Sequence, residues 1–129
     1  MSKVAQKNLV RPLSPFMQYR KGYTMTLSIL HRITGIVLTA GFILFVFWLV
    51  AAASGSDAYM RARELCNTGI VKLAIALCIF SFFYHLLNGI RHLTWDTGRG
   101  FDLKVARLSG YAVALSAVAL TVIVLLFLR

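Results

Sequence analysis

Three long apolar stretches dominate the sequence. The first runs from about Leu27 to Ala53, and its part from Ile33 to Ala53 is 21 residues without a formal charge. The second runs from Gly69 to Ile90, interrupted by Lys72 near one end and His85 inside. The third, Leu108 to Leu128, is again 21 residues without a charge. About 20 apolar residues at ~1.5 Å each cross a hydrocarbon core of ~30 Å, so each stretch predicts a membrane-spanning helix. Composition agrees: of 129 residues, 59% are hydrophobic and 14% charged, where an average soluble domain is about 25% charged. That balance excludes disordered, collagen-like and disulfide-scaffold chains and basic nucleic-acid-binding tails. The expectation is an all-α membrane protein with three transmembrane helices. A single anchor domain fills 1–129, with an N-terminal segment 1–23 and spans about 24–53, 69–94 and 107–128.

The net charge of +10 is placed between the apolar stretches, so it speaks of topology and anionic lipid. Lys3, Lys7, Arg11, Arg20, Lys21 and Arg32 lie on one side with Arg91, Arg99, Lys104 and Arg107, ten in all, against four, Arg61, Arg63, Lys72 and Arg129, on the other. The N-terminus is expected in the cytoplasm of a bacterium, or in the matrix of a mitochondrion, and the C-terminus across the inner membrane. The N-terminal segment has no apolar core of a signal peptide and no transit-peptide character. Pro12 and Pro15 discourage helix there. Ser54-Gly55-Ser56 ends the first span, Asp57 is a candidate N-cap for a short helix through Cys66, and Gly98 and Gly100 mark a turn. Cys66 and Cys78 form no metal or redox motif, and no Cys-x-x-Cys-His is present to attach haem covalently.

Charge and strong polarity are costly in hydrocarbon, so the polar groups inside the spans carry the information. They form two clusters, Ser28-Ile29-Leu30-His31-Arg32-Ile33-Thr34-Gly35 and His85 through Asp96. Ser28 and Arg32 are one helical turn apart on a shared face, with His31 beside it and Gly35 leaving room above. His85, Gly89 and His92 follow i, i+4, i+7 and form one stripe, whose glycine admits a flat group. Arg32 lies roughly 12 Å along its helix and His85 roughly 9 Å from the end of its own, so the clusters meet in the cytoplasmic half of the membrane. Imidazole is an iron ligand and haem b needs only non-covalent axial donors. His85 is the best placed. His92, about 10 Å further on, suits a propionate at the rim. Arg32, His31 and Arg91 offer charge or hydrogen bonds to propionates or a quinone carbonyl, and Ser28 can donate to a quinone oxygen.

Each residue also has a plainer reading. His85 can bond a neighbouring helix. Arg91 and Lys72 can snorkel to head groups. Trp95 can anchor at the interface. Phe80, Phe82, Phe83 and Tyr84 can be packing or lipid-facing surface, and Cys78 packing alone. Ala112 and Ser116, one turn apart, are a weak helix-packing signal.

Two motifs go further: Arg11-Pro12-Leu13-Ser14-Pro15 followed by Ser28 through Gly35, and His85-x-x-x-Gly89-Ile90-Arg91-His92-Leu93-x-Trp95-Asp96-x-Gly98. With the three-span layout around them, the chain resembles the cytochrome b membrane-anchor subunits of succinate dehydrogenase, respiratory complex II. The resemblance implies half of a heterodimeric helical bundle, completed by a second, smaller anchor subunit. It implies one haem b and a ubiquinone site, beneath an iron–sulfur subunit and a flavoprotein subunit that oxidises succinate in the tricarboxylic acid cycle. His85 matches the family's axial haem-iron ligand, the partner supplying the other. Ser28 and Arg32 match quinone-site residues, and His31 a residue near a haem propionate. For His92 and Asp96 the resemblance implies supporting roles, in propionate contact and proton supply. A trimer of complexes is compatible with it. The competing readings are a fumarate reductase anchor, a haem-free structural anchor and, least supported at three spans, a transporter.

Overall fold

The computed structural model describes residues 22–128. The basic and proline-rich residues from Lys3 to Lys21, and Arg129, lie outside the described residues. The chain forms four helices: α1 Tyr23–Ala53, α2 Ser56–Asn67, α3 Gly69–Asp96 and α4 Leu103–Phe127. Helices α1, α3 and α4, of 31, 28 and 25 residues, are long and apolar enough to cross a membrane. At ~1.5 Å per residue each exceeds the ~30 Å needed. The two ends of the contact register show that neighbours run antiparallel. Tyr84 Oη donates to the Leu27 carbonyl at 3.1 Å while Cys78 packs on Gly41, and Arg91 near the end of α3 meets Ala106 and Ser109 near the start of α4.

The element boundaries differ from expectation for readable reasons. Helix α4 begins at Leu103 rather than near 107, because Asp102 caps it by accepting from the Lys104 backbone N–H at 2.7 Å. Lys104 and Arg107 interrupt the apolar sequence but not the helix. Asp57 does not cap α2. Gly55, at φ 109°, takes the N-cap position without a side-chain bond, and Asp57 sits in the first turn, where its charge favours the helix N-terminus. The turn between α3 and α4 uses Gly98 and Gly100 at φ 78° and 84°, conformations that a side chain rarely adopts.

The buried set is small and unusually polar. Leu27, Tyr84, Ala106, Val113 and Ala117 are its apolar members, and Thr34, Ser81, Asn88, Arg91 and Thr121 its polar ones. Most large apolar side chains point outward instead. A lipid-exposed chain behaves this way: hydrocarbon tolerates the apolar surface, and the polar groups turn inward to find partners. Phe80, Phe83 and Tyr84 pack into the core while Phe82 is half exposed. The small-residue seam of α4 is not Ala112 and Ser116, both exposed, but Ala106, Gly110, Val113, Ala117 and Thr121. Their spacing traces one helical stripe toward α1 and α3.

Gly110 is the tightest point of that seam. A Cβ there would lie 2.5 Å from Leu27 Cδ1 and 2.9 Å from Tyr23 Cε1. Tyr23 in turn stacks on Tyr111 with ring centroids 4.9 Å apart. Gly110→Val is therefore expected to force α4 off α1 at a cost of about 1–3 kcal/mol. The check is thermal unfolding of the purified protein in detergent, where Ala106→Gly on the same stripe provides a comparison without overpacking.

Candidate functional site

The two polar clusters face each other across the α1–α3 contact. The rings of His31 and His85 stack, with centroids 3.9 Å apart and planes 12° from parallel. Each ring sits against a glycine of the opposite helix. A Cβ on Gly35 would be 3.1 Å from His85 Cε1, and one on Gly89 would be 3.8 Å from His31 Cε1. Gly35 thus makes room for the His85 ring, while a Cβ on the glycine of the α3 stripe would meet His31 at ordinary contact distance. Gly41, like Gly35, makes room for a facing side chain, Cys78, whose Sγ would be 2.8 Å from an added Cβ. That accounts for Cys78 as packing.

The hydrogen bonds fix the state of His85. Its Nδ1 lies 3.0 Å from the His31 carbonyl oxygen, which can only accept, so the proton sits on Nδ1. Thr34 Oγ1 donates to the same carbonyl at 2.9 Å and stands 3.4 Å from His85 Nδ1, where its oxygen can take a second share of that proton. In the neutral ring Nε2 is then the unprotonated nitrogen, with a lone pair and no hydrogen bond among the described residues. A second-layer bond that holds a histidine in one tautomer is what a metal-binding imidazole requires. His31 Nδ1 is buried and has no hydrogen-bond partner. An orphaned buried nitrogen is costly, and suits a site completed by a bound group. Among the described residues no three or more His, Cys, Asp or Glu side chains converge as a metal cage. The donor set would fit one imidazole contribution to a haem iron and not a metal held by this chain alone.

Ser28, half buried, is one turn before His31, and Arg32 follows it on an exposed face of α1. His92 is half buried, its ring 5.2 Å from that of His31 and edge-on to Trp95 at 5.2 Å. Asp96 is the exposed last residue of α3. Arg91 is placed differently from expectation. It does not snorkel: only 5% of it is exposed, between α3 and α4. Its Nε donates to Ser109 Oγ at 3.0 Å, NH1 to Asn88 Oδ1 at 3.3 Å and NH2 to the Ala106 carbonyl at 2.9 Å. The guanidinium lies 4.0 Å over the Trp95 ring. Arg91 is thus satisfied by the chain itself, a clamp behind the site. Trp95 is more than an interfacial anchor, since its indole N–H donates to the Gly100 carbonyl at 3.1 Å and closes the α3–α4 turn. Sequence reasoning passed over Thr34, Asn88 and Ser109. For Thr34 and Asn88 a signal existed: each lies three residues after a histidine of the site.

A sequence model described as the succinate dehydrogenase/fumarate reductase transmembrane subunit matches residues 7–125. The chain belongs to this family. Among curated relatives, the succinate dehydrogenase cytochrome b556 subunit of Rickettsia conorii is 39% identical over 114 residues, covering 88% of this chain and 89% of the relative. That of Paracoccus denitrificans is 37% identical over 117 residues, 90% of each chain. The mitochondrial cytochrome b560 subunit of Mus musculus is 39% identical over 111 residues, 84% of this chain and 66% of the relative. The description of that family as a transmembrane subunit agrees with the three long apolar helices. The resemblance drawn from the two motifs is therefore borne out at the level of a succinate dehydrogenase cytochrome b membrane subunit.

Proposed function

We propose that the chain anchors a succinate:ubiquinone oxidoreductase in the bacterial inner membrane, binds haem b through His85, and forms part of the site where ubiquinone is reduced. The observation that carries this is the bond from His85 Nδ1–H to the His31 carbonyl, which frees Nε2 as a ligand. The names of the relatives, cytochromes b556 and b560, support the same pigment. A second, smaller anchor subunit would hold the haem together with His85. Iron–sulfur and flavoprotein subunits sit on the cytoplasmic face, and the excess of Lys and Arg supports an N-terminus on that side.

When bound, haem b supplies a one-electron carrier within the membrane. The residues of this chain orient and stabilise. His85 is held by α1. His31, with its unpartnered Nδ1, and His92 are placed to hydrogen-bond carboxylates at the rim. Arg91 orders the wall behind His92 and is not assigned a direct contact. Ubiquinone takes two electrons, delivered singly by the iron–sulfur subunit, and two protons to give ubiquinol. Arg32 stabilises negative charge on a quinone oxygen in a site of low dielectric, and Ser28 donates a hydrogen bond to it. Asp96, at the exposed end of α3, is the candidate for proton supply.

The test is purification of the intact complex from membranes. The expected result is a b-type α-band in the reduced-minus-oxidised spectrum, two soluble and one further membrane subunit, and extractable ubiquinone. A full subunit set without the band would make the chain a haem-free anchor. A low-potential quinone in place of ubiquinone would point to a fumarate reductase.

A further inference from the structure

Among the described residues Asn88 is the one large side chain buried completely, at 0% exposure, and nothing in the proposed chemistry uses it. It sits between Arg91, three residues on, and His92, four residues on, so one turn of α3 brings all three together. Arg91 NH1 stands 3.3 Å from Asn88 Oδ1, and Asn88 Nδ2 stands 3.3 Å from His92 Nε2.

The chemistry of these groups permits only one arrangement. A guanidinium has N–H donors and no acceptor, so the Asn88 atom facing Arg91 must be the oxygen. Arg91 cannot turn away, because its Nε and NH2 are tied to Ser109 and the Ala106 carbonyl on α4. The amide nitrogen of Asn88 is therefore the atom facing His92, and it donates. His92 Nε2 must accept, which leaves the ring proton on Nδ1. Nδ1 has no hydrogen bond to the described residues.

We propose that Asn88 is a positioning residue that keeps the proton of His92 on Nδ1, so that the ring presents an N–H donor to an acidic group bound beside His31. The direction of each bond is set by Arg91, and through it by the first turns of α4. The acidic group is the haem carboxylate of the proposed function, on which this part of the inference rests; the tautomer itself does not depend on it.

The experiment is 15N NMR of the intact complex in membranes, with histidine labelled in the ring nitrogens and the His92 signals assigned by their loss in His92→Gln. The expected wild-type pattern is a protonated Nδ1 and a bare Nε2. In Asn88→Asp the side chain keeps its size and its acceptor toward Arg91, but presents an acceptor to His92 in place of a donor. The bare Nε2 signal is expected to disappear and a protonated Nε2 to replace it. Asn88→Ser, which can still donate through its hydroxyl, serves where the Asp variant does not assemble, and is expected to retain a fraction of the bare-Nε2 signal. A wild-type His92 protonated on Nε2, or a bare Nε2 that persists in Asn88→Asp, overturns the proposal. Haem content read on the same samples separates the two ideas. The expected tautomer without haem sinks the haem assignment alone, and haem with the opposite tautomer sinks the role of Asn88 alone.

Discussion

His85→Ala is expected to abolish most of the b-type absorbance of the purified complex. Alanine has no donor nitrogen, and no other imidazole of this chain is held as His85 is. His31 faces it in a stack, and His92 accepts from Asn88 through Nε2. The substitution also removes the bond to the His31 carbonyl and the ring stacked on His31, leaving a gap between α1 and α3. Some loss of thermal stability therefore accompanies the loss of pigment, on the order of 2–4 kcal/mol for a large-to-small change at a packed site. Haem per complex, measured by the pyridine-adduct spectrum, is the direct reading. Unchanged haem content and an unchanged spectrum would refute the ligand assignment.

Arg32→Leu is expected to separate two activities. Ubiquinone reduction should fall by about 100-fold, the scale seen when one preorganised donor to a developing negative charge is removed. Succinate oxidation measured with a soluble artificial acceptor should change little, because that chemistry occurs outside the membrane. Leucine is compatible with the exposed, apolar surroundings of α1 at this level, so insertion itself should not suffer. Equal losses in both assays would assign Arg32 to assembly instead of to the quinone.

The spans and the meeting of the two polar clusters were legible in the sequence. Twenty-residue apolar runs declare themselves, and counting helical rise from opposite ends brings the clusters of Arg32 and His85 into the same half of the membrane, where the structure stacks His31 on His85. The rotation of each helix was not legible. In a soluble helix the apolar stripe shows which side is buried, but a membrane helix is apolar all round and hydropathy has no contrast to offer. Within the chain the packing stripe of α4 runs through Gly110 and Ala117, and the pair Ala112 and Ser116 lies on an outward face. Arg91 was misjudged for a related reason. An arginine near a helix end usually reaches for water, and only the acceptors on α4, Ser109 Oγ and the Ala106 carbonyl, reveal that this one turns inward. Asn88 escaped notice because its role depends on both neighbours being held in place.

Residue 31 performs two separable tasks. Its ring occupies the space beside Gly89, but the atom that orients His85 belongs to its main chain. No exchange of side chain deletes a peptide oxygen. A variant such as His31→Ala or His31→Asn would keep the imidazole at 85 in its present tautomer while changing what surrounds it. Any phenotype at position 31 therefore reports on the ring, its stack against His85 included, and not on the main-chain oxygen that fixes where the proton of His85 sits.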